Sequence, residues 1–415
     1  MSFKSYVEFK DSNIEWIGEI PKHWQVYNLK KYFFIHNGST PKDLEENWGG
    51  DICWITPADY KTSDVYINQS SRQITKVGLN SCGTTLVPKG SIIVSNRAPI
   101  GTVAIANIDL CTNQGCKSLS IKKDINTKFV YYILSINETE LNRLGRGTTF
   151  MELSSYDLGT FQIPITSLSE QKIIVDYLDK QTAKIDATIA KNEELNQLLE
   201  EKRVALINKV VTKGLNPDVS MKDSGVEWIG EIPEHWDVTP LKRFVKLHNG
   251  KEINNEVKED DEDAIGVYGS GGLFKYTDEY LFKGESVLFG RKGTLGKPLY
   301  LNDIFWTVDT MYYLSFNKYL LPKYCYYYLT FYPWNKISTE TAKPSVVGSD
   351  VTNSMFAIPD IVEQKQIADY LDTEITKLNQ TVNKIQENIN LLEEYKTSLI
   401  HHVVTGKIDV REEVI

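Results

Sequence analysis

A stretch without glycine or proline runs from 167 to 213, and a near copy of it runs from 360 to 405. No other feature restricts the possible folds as much. Glycine and proline are the residues that stop helices. Their absence over this length predicts a rod of roughly 70 Å at 1.5 Å per residue. Ser167 and Glu170 form S-x-x-E, the signature of a capping box, in which each side chain satisfies a free donor of the first turn. Asp360 and Glu363 take those places in the copy. Gly214 follows the last periodic residue, where a left-handed cap is expected, and Pro217 lies just beyond. The copies agree in detail: EQK at 170–172 and 363–365, YLD at 177–179 and 370–372, LLEE at 198–201 and 391–394, VVT at 210–212 and 403–405.

In the second copy apolar residues alternate at spacings of four and three: Leu371, Ile375, Leu378, Val382, Ile385, Ile389 and Leu392, then Lys396, Leu399 and Val403. That is a coiled-coil seam. The first copy keeps Leu178, Ile185, Ile189, Leu199, Leu206 and Val210 on its seam and places Asn192 and Asn196 in the middle. Polar seam residues fix register at some cost in stability. The two rods are expected to pair with each other inside the chain; the alternative is two separate amphipathic helices in two cores.

A second repeat lies upstream of each rod. Residues 12–38, SNIEWIGEIPKHWQVYNLKKYFFIHNG, match 224–250, SGVEWIGEIPEHWDVTPLKRFVKLHNG. The chain therefore reads as strap, globule and rod, twice. Trp16, Ile20, Pro21 and Trp24 look like an irregular strap that packs on something. His23 and His235 sit in it singly, without a close Cys or Asp, so a structural role is favoured over metal binding. In the first globule, runs at 51–57, 84–88, 91–96, 101–106 and 117–121 read as strands, and 127–136 as a helix. The second globule repeats the order more compactly, with strands at 264–270, 286–290, 297–301 and 311–316 and a helix at 322–332 that starts on Pro322. Straps and rods are near copies; the globules are not. A duplicated frame with two diverged inserts implies one task performed on two different targets.

Bulk properties exclude several classes. No apolar run approaches a membrane span, and the first residues lack an apolar signal core. Five cysteines without a CxxC fit reduced thiols in a cytoplasmic protein, with Cys53 and Cys325 expected in cores. Net charge is −9, which argues against nucleic acid until its distribution is considered. Residues 27–166 carry 14 basic and 12 acidic side chains, and 239–358 carry 14 of each, so the acidity lies on the rods and their flanks. There is no G-x-G-x-x-G and no P-loop. The turn at 269–272, GSGG, opens no helix, and Pro359-Asp360-x-x-Glu363-x-Lys365 is explained by helix capping rather than by a nuclease metal site.

What recurs in both globules is a basic loop between strands followed by two polar pieces. In the first these hold Asn96 and Arg97, then Thr112, Asn113, Gln114 and Lys117, then Arg146, Thr148, Thr149 and Ser154. In the second they hold Arg291, Lys292 and Thr294, then Thr307 and Asp309, then Lys343 and Ser345, with Ser270 on the glycine turn. Arg, Lys, Asn and Gln can read base edges, and Ser and Thr suit phosphate contacts. Ordinary polar loops are the alternative that residue type leaves open.

These stretches together resemble the specificity subunit of type I restriction-modification enzymes. The carriers are EWIGEIPKHW at 15–24 and its copy at 227–236, NRAPIG at 96–101 with CTNQGCKSL at 111–119, the run 269–298 with FWTVDTMYYL at 305–314, and the two EQK…YLD rods. The resemblance implies an α+β fold of two target-recognition domains, each a small mixed α/β globule, separated by two long antiparallel coiled-coil helices with an internal pseudo-twofold repeat. The expected boundaries are 1–166, 167–214, 215–359 and 360–415. It implies a non-catalytic DNA-reading subunit, each domain taking one half of a split double-stranded site and the helices setting the gap. It also implies two modification subunits using S-adenosylmethionine and restriction subunits using ATP and Mg²⁺, with no cofactor or metal in this chain and no membrane. A coiled-coil scaffold that binds only protein is the competing class.

Overall fold

The computed structural model describes residues 4–61, 63–97, 99–146, 151–338 and 344–412. It divides into two compact units, Met1–Lys191 with Asn388–Ile415, and Asn192–Glu387. The long helices are Leu168–Lys213 and Ile361–Val404, and each contributes to both units. Gly214 and Gly406 end them with the same φ of +71°, a left-handed conformation that glycine adopts without strain.

Burial along each rod follows the seam. In the second, Leu371, Ile375 and Ile389 are buried and Leu378, Val382, Ile385 and Leu392 half-buried, while most residues between them are exposed. In the first, Ile185 is buried and Ile189, Leu199 and Leu206 are half-buried. Asn192 and Asn196 are half-buried on the same stripe, and Asn192 Nδ2 and Asn196 Oδ1 are buried without a partner. Within the first unit the rods run antiparallel. The start of one meets the end of the other where Trp24 bonds Glu170 and lies against Gly406, and further along Asp186 pairs with Lys396 at 2.6 Å.

The capping boxes form only in part. Ser167 Oγ accepts from Glu170 N at 3.3 Å, and Asp360 Oδ1 accepts from Glu363 N at 2.9 Å. The glutamates do not reach back. Glu170 instead accepts from Tyr6 Oη at 2.7 Å, Trp24 Nε1 at 3.2 Å and Thr166, with His23 Nε2 3.0 Å away. Glu363 accepts from Trp236 Nε1 at 3.0 Å, with His235 Nε2 at 2.9 Å. A strap carrying two aromatic N–H donors outcompetes the helix's own terminus, so the recurrent glutamate staples each strap to its rod. Burial pushes the Glu170 carboxyl up, but bonds from Thr166, Tyr6, His23 and Trp24 outweigh it and hold the group below its usual range.

The other repeated letters have matching tasks. Gln171 Oε1 accepts from Asn126 N at 2.9 Å, and Gln364 Oε1 accepts from Leu321 N at 2.8 Å, each at the start of a globule helix. Those helices are Thr127–Ser135 and Pro322–Phe331. The aspartates of YLD finish the attachment. Asp179 accepts from Tyr132 at 2.6 Å and Lys128 at 2.8 Å, and Asp372 from Tyr327 at 2.5 Å and Lys323 at 2.5 Å. Burial and the carboxylate acceptors push both tyrosine hydroxyls far above their usual range, so they stay donors.

The globules share more topology than their sequences suggest. The first has a five-stranded sheet in the order Phe33–Asn37, Cys116–Ile121, Ile92–Ser95, Val103–Ala106 and Tyr66–Ile67. The second has Val245–Asn249, Met311–Phe316, Phe282–Gly290, Leu299–Thr307 and Ile265–Gly269 in corresponding places, extended by Gly272–Thr277. In both, the fourth and fifth strands are parallel and the earlier pairs antiparallel. The first globule adds a three-stranded sheet of Leu110–Thr112, Trp48–Ile55 and Arg72–Ile74. The expected strand at 84–88 is reduced to a single bridge, Val87 to Leu110. Cys53, Cys111, Cys116 and Cys325 are buried free thiols, and Cys82 is half-buried.

Candidate nucleic-acid interface

Each strap repeat ends on a glycine, and the structure gives the reason. A Cβ on Gly38 would lie 1.8 Å from the Asn113 carbonyl oxygen, and one on Gly250 2.0 Å from that of Val308. Only glycine lets the chain pass this close. The contact is locked by Gly38 N to Cys116 O at 3.3 Å and Ser39 N to Thr112 O at 2.9 Å, and in the second globule by Gly250 N to Met311 O at 3.0 Å and Lys251 N to Thr307 O at 2.9 Å. Trp54 Nε1 donates to Ser39 O at 2.9 Å and Trp306 Nε1 to Lys251 O at 2.7 Å. Residues 112–116 and 307–311 therefore form equivalent turns, held by the ends of equivalent straps.

The basic loops join the same two places. Asn96 N donates to Gly115 O at 2.9 Å, and Arg291 N to Thr310 O at 2.8 Å. Leu153 N donates to Asn96 O and Val346 N to Arg291 O, both at 3.0 Å. Arg97 bridges Glu152 as Lys292 bridges Ser345. Three segments far apart in sequence thus meet in one hydrogen-bonded junction, built twice on sequences with little in common.

The junction brings together most of the residues singled out from sequence, in two layers. Asn96, Thr112, Lys117 and Thr307 are buried. Asn96 Nδ2 donates to Glu152 Oε1 at 3.1 Å, Lys117 Nζ donates to Asn37 Oδ1 at 2.8 Å, and Thr307 Oγ1 donates to Tyr268 O at 2.8 Å. Thr112 Oγ1 lies 3.4 Å from Ser118 Oγ. Burial pulls the Lys117 ammonium below the usual lysine range, against the opposing pull of Glu152. Arg97, Gln114, Arg146, Lys292, Thr294 and Asp309 are exposed, and Asn113, Ser270, Arg291 and Ser345 half-buried. Asn113 Oδ1 accepts from Gly115 N at 2.9 Å, and Gln114 Oε1 accepts from Thr40 Oγ1 at 2.5 Å. Arg146 pairs with buried Asp157 at 2.9 Å, and the Arg291 guanidinium lies 5.8 Å from the Tyr312 ring centroid. Ser154 caps the short helix Ser155–Thr160. Ser270 lies in the turn between strands Ile265–Gly269 and Gly272–Thr277, two residues after Tyr268, whose carbonyl accepts the Thr307 bond. Thr148, Thr149 and Lys343 lie outside the described residues.

Sequence reasoning passed over Glu152, Asn37, Gly38 and Gly250. Asn37 Oδ1 receives both Lys117 and Ser155. The available signal was the shared ending HNG of the strap repeat, at 36–38 and 248–250. Among the described residues no group of three or more His, Cys, Asp and Glu could hold a metal, and no helix is long and apolar enough to cross a membrane.

The family model described as the type I restriction modification DNA specificity domain matches twice, at 21–197 and 233–391. The chain is 33% identical to the type I restriction enzyme MjaIX specificity subunit of Methanocaldococcus jannaschii over 60% of its own length and 57% of that protein's. It is 26% identical to the EcoprrI specificity subunit of Escherichia coli over 93% of both chains. With MjaIX and the putative MjaX specificity subunit, the chain spans about half the length of the relative it matches. A solved structure described as the structural basis of complex assembly and conformational transition of the type I R-M system superposes with a TM-score of 0.75 at 13% identity, covering 94% of this chain and 99% of that one. The HsdS subunit of Thermoanaerobacter tengcongensis gives 0.53 at 14%, covering 94% and 98%. At such identities these likenesses concern the fold alone.

Proposed function

Because this chain belongs to the type I restriction modification DNA specificity family, matching its model over most of its length, we propose that it is the DNA-reading specificity subunit of such a complex. Each globule, within 1–166 and 215–359, reads one half of a bipartite double-stranded site, and the rods set the gap between the halves. The chain is not catalytic; methyl transfer with S-adenosylmethionine and cleavage with ATP and Mg²⁺ belong to two modification subunits and to restriction subunits.

The observation that carries this reading is the junction built twice. A fixed backbone frame with exchangeable side chains suits two readers of unlike sequence. The exposed members, Arg97, Gln114, Arg146, Lys292, Thr294 and Asp309, with half-buried Asn113, Ser270, Arg291 and Ser345, face the duplex. Buried Asn96, Thr112, Lys117 and Thr307 hold the loops in shape, since a side chain sealed in the protein cannot reach a base edge. We extend the same roles to Thr148, Thr149 and Lys343 from their sequence context.

The test is to produce the chain with its modification subunits in a cell free of other adenine methylation and to map methylated adenines. A two-part motif with a fixed unspecified gap is expected. Methylation at one contiguous motif, or without sequence preference, would refute the proposal.

A further inference from the structure

The two junctions differ in one electrostatic respect. In the first globule Glu152 stands where the second has Ser345, as the equivalent bridges to Arg97 and Lys292 establish. Glu152 Oε2 accepts from Arg97 Nη2 at 3.0 Å and Nε at 3.2 Å. Its other oxygen receives Asn96 Nδ2 at 3.1 Å and lies 3.7 Å from Lys117 Nζ. Asn96 and Lys117 are buried, so the carboxylate is anchored from below while Arg97 remains 49% exposed above it. Among the described residues no carboxylate pairs with Arg291 or Lys292.

An arginine already paired with a fixed carboxylate is a poor phosphate ligand. A phosphate approaching it also approaches the carboxylate, and the two anions repel. A base edge carries no net charge, so the ion pair can persist while the remaining guanidinium N–H donors meet guanine O6 and N7. An unpaired lysine or arginine has the opposite preference, because neutralising a phosphate releases counterions.

Resting on the DNA-reading role above, we propose that Glu152 is a positioning residue that fixes Arg97 as a base reader in the first half-site, whereas Lys292 at the equivalent place contacts a phosphate. The same backbone position thus carries sequence information in one head and register in the other.

The test uses the complex with its modification subunits. Duplex binding is measured against salt and against single-base changes across both half-sites, for wild type, Glu152→Gln, Glu152→Ser, Arg97→Lys and Lys292→Ala. The three first-globule variants are expected to lose about tenfold discrimination at one base pair of the first half-site. Their preference at the other base pairs of the first half-site should be unchanged, which serves as the control for folding of the first globule. The salt slope should stay near wild type in Arg97→Lys and steepen by about one in Glu152→Gln and Glu152→Ser, where the freed guanidinium turns to a phosphate. Lys292→Ala should weaken all sequences alike and reduce the salt slope by about one. Discrimination preserved in Glu152→Gln and Arg97→Lys would overturn the inference, as would Lys292→Ala removing preference for one base. Wild-type complex with no base preference in either half would instead defeat the DNA-reading proposal itself.

Discussion

Gly38→Ala tests the junction most directly. The added Cβ would lie 1.8 Å from the Asn113 carbonyl oxygen, which is backbone and cannot swing aside. Restoring a contact of about 3.0 Å requires the turn to move by about 1.2 Å in a close-packed site. That movement stretches both bonds that lock it, from Ser39 N and from Gly38 N. Two lost hydrogen bonds at about 1 kcal/mol each, with about 1–3 kcal/mol for overpacking, give about 3–5 kcal/mol at the junction. At 1.4 kcal/mol per decade, even the lower figure exceeds about a hundredfold in the population of the binding form. Gly250→Ala should act equivalently in the second globule, through Val308 O at 2.0 Å. The assay is equilibrium binding of the assembled complex to the intact site and to duplexes with one half scrambled, beside thermal melting. Gly38→Ala should become indifferent to scrambling one half and still require the other; Gly250→Ala should show the reverse. If either variant keeps wild-type discrimination in both halves, the junction is not the reading surface. Loss of both halves by each variant at an unchanged melting temperature would also refute the assignment.

Three further outcomes follow from other parts of the molecule. The Glu170 carboxyl is held below its ordinary value of 4.5. Its stabilising contribution is therefore complete above that value and is lost as pH falls through the depressed one; Glu170→Gln should lower the melting temperature at pH 7 and flatten its decline below pH 4.5, and equal slopes would refute the staple. Inserting one heptad at matching seam positions of both rods adds about 10 Å, which should lengthen the gap in the methylated motif by about three base pairs at 3.4 Å each; an unchanged gap would show that the rods do not set it. Burial pushes the Cys111 and Cys116 thiols up to about 12, so a thiol reagent at pH 8 should modify half-buried Cys82 in the native chain and reach the other four only on unfolding.

The rods were legible because a helical seam is a local, periodic pattern. The half-buried stripe through Leu378, Val382 and Ile385 is a direct consequence of 3.6 residues per turn. The duplicated frame was equally plain, as was the left-handed end at Gly214. The capping glutamates were misread for a definite reason. S-x-x-E describes what a helix end does alone, and Glu170 has a better offer from Trp24, Tyr6 and Thr166, which only the folded strap brings to it.

Residue identity by itself determined that this chain is a doubled frame carrying two unlike inserts, because repeats and periodicity are written along one dimension. Only the tertiary structure decided which polar side chains face outward and which are sealed. Asn96 and Arg97 are neighbours in sequence, yet one is buried and the other exposed. Glu152, fifty-five residues beyond Arg97, is its partner. Which charges neutralise one another depends on strands crossing in space, and no spacing in the sequence encodes that directly.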